Sequence, residues 1–183
     1  MAKNLNFSQK PNSCVKGDVH PKLVKVFDVE FAKPATKIFN SIINTSLYPD
    51  QWKIEFGVPI PKCSITESLD DIRVLSKTSF LSKVFESFLV DWMMPCISPF
   101  LDPNQFGGSK GISTTHYPIK FLEFTHSTID STQPHAVMAT LIDLSKAFNR
   151  VDHTILIEDL YNMKCPSWLI KIIISYLTQR TLI

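Results

Sequence analysis

Between Ser79 and Pro95 the apolar residues Leu81, Val84, Phe85, Phe88, Leu89 and Trp92 recur every three or four positions, the spacing that lines one face of an α-helix. A stripe carrying two phenylalanines and a tryptophan has a large area to remove from water, so it commits the chain to a core built against this helix. Pro95 lacks an amide hydrogen and its ring crowds the preceding turn, so the helix is expected to stop there. The rest of the chain can supply that core: 183 residues, 44% of them apolar, suffice for one globular unit and are too apolar for a disordered chain. Twelve Pro against five Gly exclude collagen-like and Gly/Ser-linker classes.

Residues 1–20 are polar, hold a Lys-Pro-Asn-Ser turn cluster and read as a flexible lead-in. Phe31, Ala35, Ile38, Phe39, Ile42 and Ile43 then trace a one-sided helix. After the turn at Tyr48-Pro49-Asp50, Trp52, Ile54, Phe56, Val58 and Ile60 alternate with less apolar residues, which predicts a half-buried strand ended or kept at an edge by Pro59 and Pro61. A polar loop from Cys63 to Asp71 leads to a second strand at Ile72–Leu75, with Lys62 and Arg73 at the two ends of the loop. Residues 101–116, LDPNQFGGSKGISTTH, are turn-rich, and a helix is expected around Ile119–Ile129.

The run HAVMATLI (135–142) has the length of a strand buried on both faces and would deliver Asp143 to its carboxyl end. Two further helices follow, one with Val151, Ile155, Leu156 and Leu160 that Asp152 could cap, the other with Trp168, Leu169, Ile172, Ile173, Tyr176 and Leu177.

Charge narrows function little: 19 Lys+Arg against 17 Asp+Glu give +2, a weak field that neither demands nor excludes a polyanion. No apolar stretch approaches the roughly 18 residues of a membrane span, and the start MAKNLNFSQKPNS lacks the apolar region of a secretory signal. An intracellular, reducing location without membrane association is therefore expected, nucleus and cytoplasm being indistinguishable. Cys14, Cys63, Cys96 and Cys165 are dispersed, so neither a disulfide framework nor a zinc site is encoded locally.

Chemistry concentrates at strand, carboxylate, turn, aromatic, helix, residues 135–153. An acidic residue at the tip of a buried strand projects into the crevice above a sheet, where hard cations and phosphates are held. By spacing alone, an Asp in the place of Asp143 is more often a turn former or helix cap than a catalytic residue.

MATLIDLSKAFNRVDH (138–153) closely resembles the first catalytic block of reverse transcriptases of LINE-type non-LTR retrotransposons, in which an apolar strand leads into D-L-S-K-A-F-D and then V-D-H; Asn149 stands where the pattern ends in Asp. Four more blocks resemble that family in order: PDQWKIEFGVPIPK (49–62), IRVLSKTSFLSKVFESFL (72–89), LDPNQFGGSKGISTTH (101–116) and, beyond residue 167, YLTQRT. Together they span about residues 20–183.

The resemblance implies a helix-rich α/β architecture of α+β type, a partial right-hand polymerase with fingers (21–134) and early palm (135–183) whose sheet is mainly antiparallel. It implies that Asp143 and the carbonyl of Leu144 hold magnesium, that Phe148 packs under the sugar and excludes a 2′ hydroxyl, and that Arg73 and Lys62 meet the incoming triphosphate. A planar guanidinium fork suits phosphate oxygens. Val74 replaces the Pro that follows the corresponding Arg in the pattern. Gln105, Gly107 and Lys110 would face the template. The implied partners are an RNA template, a DNA primer and deoxynucleoside triphosphates.

In the family the other catalytic carboxylates lie in an aromatic-Ala-Asp-Asp hairpin after a Gln-Gly block, and neither occurs in these 183 residues; the Asp70-Asp71 pair lies ahead of Arg73, in the wrong order. The expectation is a partial RNA-directed DNA polymerase, inactive by itself, with weak or absent magnesium binding. A non-catalytic module gripping RNA or template-primer duplex, and a helical interaction protein keeping only the scaffold, are the alternatives. An incomplete palm is also expected to leave apolar faces of the Ile172 helix and the Val137 strand uncovered.

Overall fold

A computed structural model describes residues 15, 17–65, 68–108, 111–131, 136–144 and 147–183. The chain divides into two units, residues 1–97 with 153–183, and residues 98–152.

In the first unit, α1 (Pro21–Val26) and α2 (Asp28–Thr45) lead to a 3-10 turn at Asp50–Lys53. Asp28 and Glu30 lie in the first turn of α2, where the helix dipole favours negative charge. Ser46, in the left-handed region at φ 56°, ends α2 by donating its amide to Ile42 O at 2.8 Å. Trp52, expected in the following strand, belongs to the 3-10 turn and is buried. The strand β1 begins at Ile54 and ends at Pro61, as the two prolines dictate.

β1 pairs antiparallel with β2 (Ile72–Lys77) from Phe56↔Lys77 to Pro61↔Ile72, and parallel with the short β3 (Thr181–Leu182), giving the order β2-β1-β3. α3 (Phe80–Ile97) follows β2, while α5 (His153–Asn162) and α6 (Ser167–Leu177) close the unit; α4 (His116–Ile129) belongs to residues 98–152. The result is helix-rich and of mixed α+β class, as expected.

The stripe of α3 sits at the centre. Phe85 packs against Phe39 of α2 at 5.2 Å between ring centroids, and Trp92 meets Trp168 of α6 edge-on at 5.5 Å. Phe80, Phe85, Leu169, Ile170 and Ile172 are fully enclosed. Filled to the density of an organic crystal, such a core tolerates little change in volume.

Four expectations need correction. α3 does not stop at Pro95 but continues to Ile97; the proline sits in the last turn, where a single lost backbone bond is outweighed by the apolar residues around it. Ile172 is wholly buried rather than exposed, because α6 packs into the α2–α3 core instead of awaiting a palm. Of the lead-in expected at residues 1–20, residues 1–14 and 16 lie outside the described residues, and residues 17–20 are not loose: Asp18 accepts hydrogen bonds from Phe80 N at 2.6 Å and Ser79 Oγ at 3.2 Å, capping α3 from 62 residues away.

The fourth concerns the run 135–142. Residues 136–144 form no strand, and Met138, Leu141 and Ile142 are almost fully exposed; His135 lies outside the described residues. A doubly buried strand needs a neighbour on each edge to satisfy its amides. The described strands pair only with one another.

Candidate functional site

The β1–β2 hairpin carries two cationic residues, Lys62 and Arg73, at one end. Arg73 stands opposite Ile60, Lys62 follows two residues later, and Lys62 N donates to Asp71 O at 2.7 Å, extending the ladder one step beyond the strands. Both side chains are exposed and border the same loop, as the sequence indicated. The chain enters β2 through a 3-10 turn, Leu69–Asp71, in which the Asp71 carboxylate receives Ser68 N at 3.0 Å and Ser68 Oγ at 3.2 Å. That reciprocal cap fixes the backbone immediately before Arg73. Two exposed cationic residues at one hairpin end repel only weakly in water.

Residues 98–152 carry the other sequence-derived candidates. Asp143 and Leu144 lie exposed in the irregular segment 136–144, and Phe148 is 94% exposed on a 3-10 turn, Ala147–Arg150. Gln105 Nε2 donates to Gly107 O at 3.1 Å, closing a small turn. Lys110 lies outside the described residues. Lys62 and Arg73 thus share one unit, whereas Gln105, Gly107, Asp143, Leu144 and Phe148 belong to the other.

The donor set does not make a magnesium site by itself. Among the described residues no cluster of three His, Cys, Asp or Glu side chains could hold a metal, and one carboxylate with one carbonyl falls short of the oxygen shell a hard cation requires.

Sequence reasoning missed a polar network in the first unit. Ser82 Oγ donates to Glu86 Oε1 at 2.6 Å, while Tyr48 OH contacts Ser82 Oγ at 2.8 Å and donates to Glu86 Oε1 at 3.3 Å. Tyr48 N donates to Ser175 Oγ at 2.9 Å, and the Tyr48 and Tyr176 rings meet edge to face at 5.1 Å. Tyr176 in turn lies under the Arg180 guanidinium, 4.3 Å from the ring centroid, and Arg180 forms an ion pair with Glu55 of β1. The available signal was the Ser82/Glu86 pair, four residues apart on α3.

Burial, then Glu86, pushes the Tyr48 phenol well above its ordinary value. The same two causes raise Tyr176. Burial alone would lower Arg180, but the hydrogen bond to Glu55 and the nearby Tyr176, Glu55 and Glu86 leave it above its usual value. These groups hold α3, α6 and β1 in register; nothing in their arrangement performs chemistry.

The model of the family described as reverse transcriptase (RNA-dependent DNA polymerase) matches residues 60–182. A Drosophila melanogaster protein described as a probable RNA-directed DNA polymerase from transposon BS is 28% identical over 146 residues, 78% of this chain. The matched stretch spans 16% of that relative's length.

Proposed function

The chain belongs to the reverse transcriptase (RNA-dependent DNA polymerase) family, and from that premise we propose that it is the fingers and early palm of an RNA-directed DNA polymerase from a LINE-type non-LTR retrotransposon. The observation that carries this reading is the hairpin pairing Ile60↔Arg73, which brings Lys62 and Arg73 to one end of a sheet inside the matched segment. The mixed helix-rich fold with its small sheet is compatible with part of such a polymerase.

In this reading Arg73 and Lys62 grip the triphosphate of an incoming deoxynucleotide, the guanidinium through paired N–H donors and the ammonium as a point charge. Phe148 offers its ring to the sugar. Gln105, Gly107 and Lys110 face an RNA template paired with a DNA primer. Magnesium in the complete enzyme would activate the primer hydroxyl and neutralise the leaving pyrophosphate. Among the described residues Asp143 and the Leu144 carbonyl would be its ligands, too few to retain it without further carboxylates. We therefore assign this polypeptide no polymerase activity of its own.

Primer extension on a homopolymer RNA template tests that assignment. No incorporation is expected; robust synthesis that Asp143→Ala abolishes would overturn it. The second reading, a non-catalytic module that holds RNA or template-primer duplex, draws support from the same incomplete donor set. It predicts RNA affinity that falls as salt rises and falls further in Arg73→Ala, whereas a purely helical interaction scaffold binds no RNA at any ionic strength.

A further inference from the structure

Residues 98–152 contain a recess of about 300 Å³ lined by Asn104, Phe106, Gly107, Thr114 and Tyr117. Its aromatic wall is ordered by the rings themselves. Phe106 meets Tyr117 edge-on at 5.7 Å, and Tyr117 stacks with Phe121, one helical turn on, at 6.2 Å with an interplanar angle of 22°. Lys120, from the same stretch of α4, sits 5.7 Å from the Phe106 ring centroid, and its ammonium donates to Asn104 Oδ1 at 2.6 Å. Buried elsewhere, these rings would simply be core, yet Tyr117 is 57% exposed.

We propose that this recess takes one unpaired nucleobase of a single-stranded nucleic acid, stacked on the Phe106–Tyr117 wall with its adjoining phosphate toward Lys120. The volume exceeds that of one base and is too small for a base pair with its backbones. The wall supplies π-faces, which every base can use, and the remaining lining residues, Asn104, Gly107 and Thr114, carry polar groups suited to a base edge. Among the described residues, Lys120 supplies the cation beside the aromatic wall. Residues 98–152 as a whole hold four Lys or Arg against five Asp or Glu, so no broad positive field draws a strand in. Binding here is led by stacking, with a shallow salt dependence. An acidic peptide would need the reverse balance, more cations and fewer rings. The choice of ligand rests on the nucleic-acid function proposed above, whereas the recess itself rests only on the geometry of residues 104–107 and 114–121.

The test uses the full chain and a short fluorescent single-stranded oligouridylate, with fluorescence anisotropy as the readout. Phe106→Ala and Tyr117→Ala should each weaken binding about tenfold, while Tyr117→Trp should retain it. Lys120→Gln should reduce the log–log salt slope by about 0.7. Far-ultraviolet circular dichroism of each variant guards against unfolding, and the retained binding of Tyr117→Trp distinguishes lost stacking from lost structure. Unchanged affinity in both alanine variants, with binding reduced only by Arg73→Ala, would overturn the recess and leave the nucleic-acid function standing. No binding of the parent chain to oligouridylate or to a template-primer duplex would overturn both. Equal loss of affinity for a blunt duplex in the two alanine variants would also sink the recess, because a paired base cannot enter it.

Discussion

Arg180 Nε donates to Glu55 Oε1 at 2.7 Å, joining the segment after α6 to the first residues of β1 across 125 positions of sequence. The guanidinium also donates to Tyr176 O at 3.3 Å and lies over the Tyr176 ring, so one side chain ties helix, strand and aromatic together. Beside it, β3 pairs with β1, Ile183 N donating to Glu55 O at 2.9 Å.

Replacing Arg180 by Ala leaves the Glu55 carboxylate mostly enclosed and unpaired. Since the two side chains remain 18% and 19% exposed, the cost should fall below that of a fully buried pair, at about 2 kcal/mol. Urea unfolding checks this. The double variant with Glu55→Gln should recover part of the loss, and additive effects of the two changes would contradict a direct coupling. No dependence on pH is expected from this pair in the neutral range: a raised guanidinium value gives stability that persists until pH exceeds the ordinary arginine range.

Tyr48 makes the alkaline limit of stability. Its phenol ionises near 10.0 when unfolded and higher when buried beside Glu86, so above pH 10 the unfolded state loses the proton first. Stability should then fall with rising pH by about 1.4 kcal/mol per pH unit from this group, and be level below pH 9. Urea midpoints between pH 8 and 11 measure it. Tyr48→Phe should flatten the slope while lowering stability at neutral pH through the lost bonds to Ser82 and Glu86.

Helix periodicity was legible wherever one face packs on the core, because burial itself imposes the period; α2, α3 and α6 follow their apolar stripes. The hairpin was legible too, since Pro59 and Pro61 limit β1 and the polar loop separates it from β2. What the sequence could not reveal were partners far apart along the chain. Asp18 capping α3, Arg180 meeting Glu55 and Tyr48 reaching Glu86 each depend on a tertiary approach that leaves no local pattern. The run before Asp143 misled for the converse reason: its apolar residues specify a strand only when neighbouring strands accept its amides. Of the site, the placing of Lys62 and Arg73 at one end of the hairpin followed from the strand pairing, while the grouping of Asp143 with either cation rests on family resemblance.

The cap supplied by Asp18 gives a third expectation. Asp18→Ala removes the acceptor of Phe80 N and Ser79 Oγ at the start of the central helix, and should cost about 1–2 kcal/mol, with Asp18→Asn costing less. Thermal melts of the two variants check the cap.

Asp143 and Phe148 behave differently. Both side chains are exposed, so Asp143→Ala and Phe148→Ala should melt with the parent. A clear drop in melting temperature for either would mean that the side chain is enclosed in solution, and would recover the strand-tip geometry that the sequence suggests. The measurement is independent of any activity.

Gly57 is where the sheet is tightest. A Cβ built there would stand 2.9 Å from Val74 Cγ1 and 3.6 Å from Ile183 O, with β2 on one side and the end of the chain on the other. The branched valine cannot swing its methyl clear without leaving its rotamer, so Gly57→Ala should destabilise by about 1–3 kcal/mol. Trimming the neighbour tests the cause: in a Val74→Ala background the same change should cost far less, since the crowding methyl is gone. An undiminished penalty in that background would assign the strain to the backbone instead. Because Arg73 precedes Val74 on β2, the clash should also disturb the hairpin end that holds Lys62.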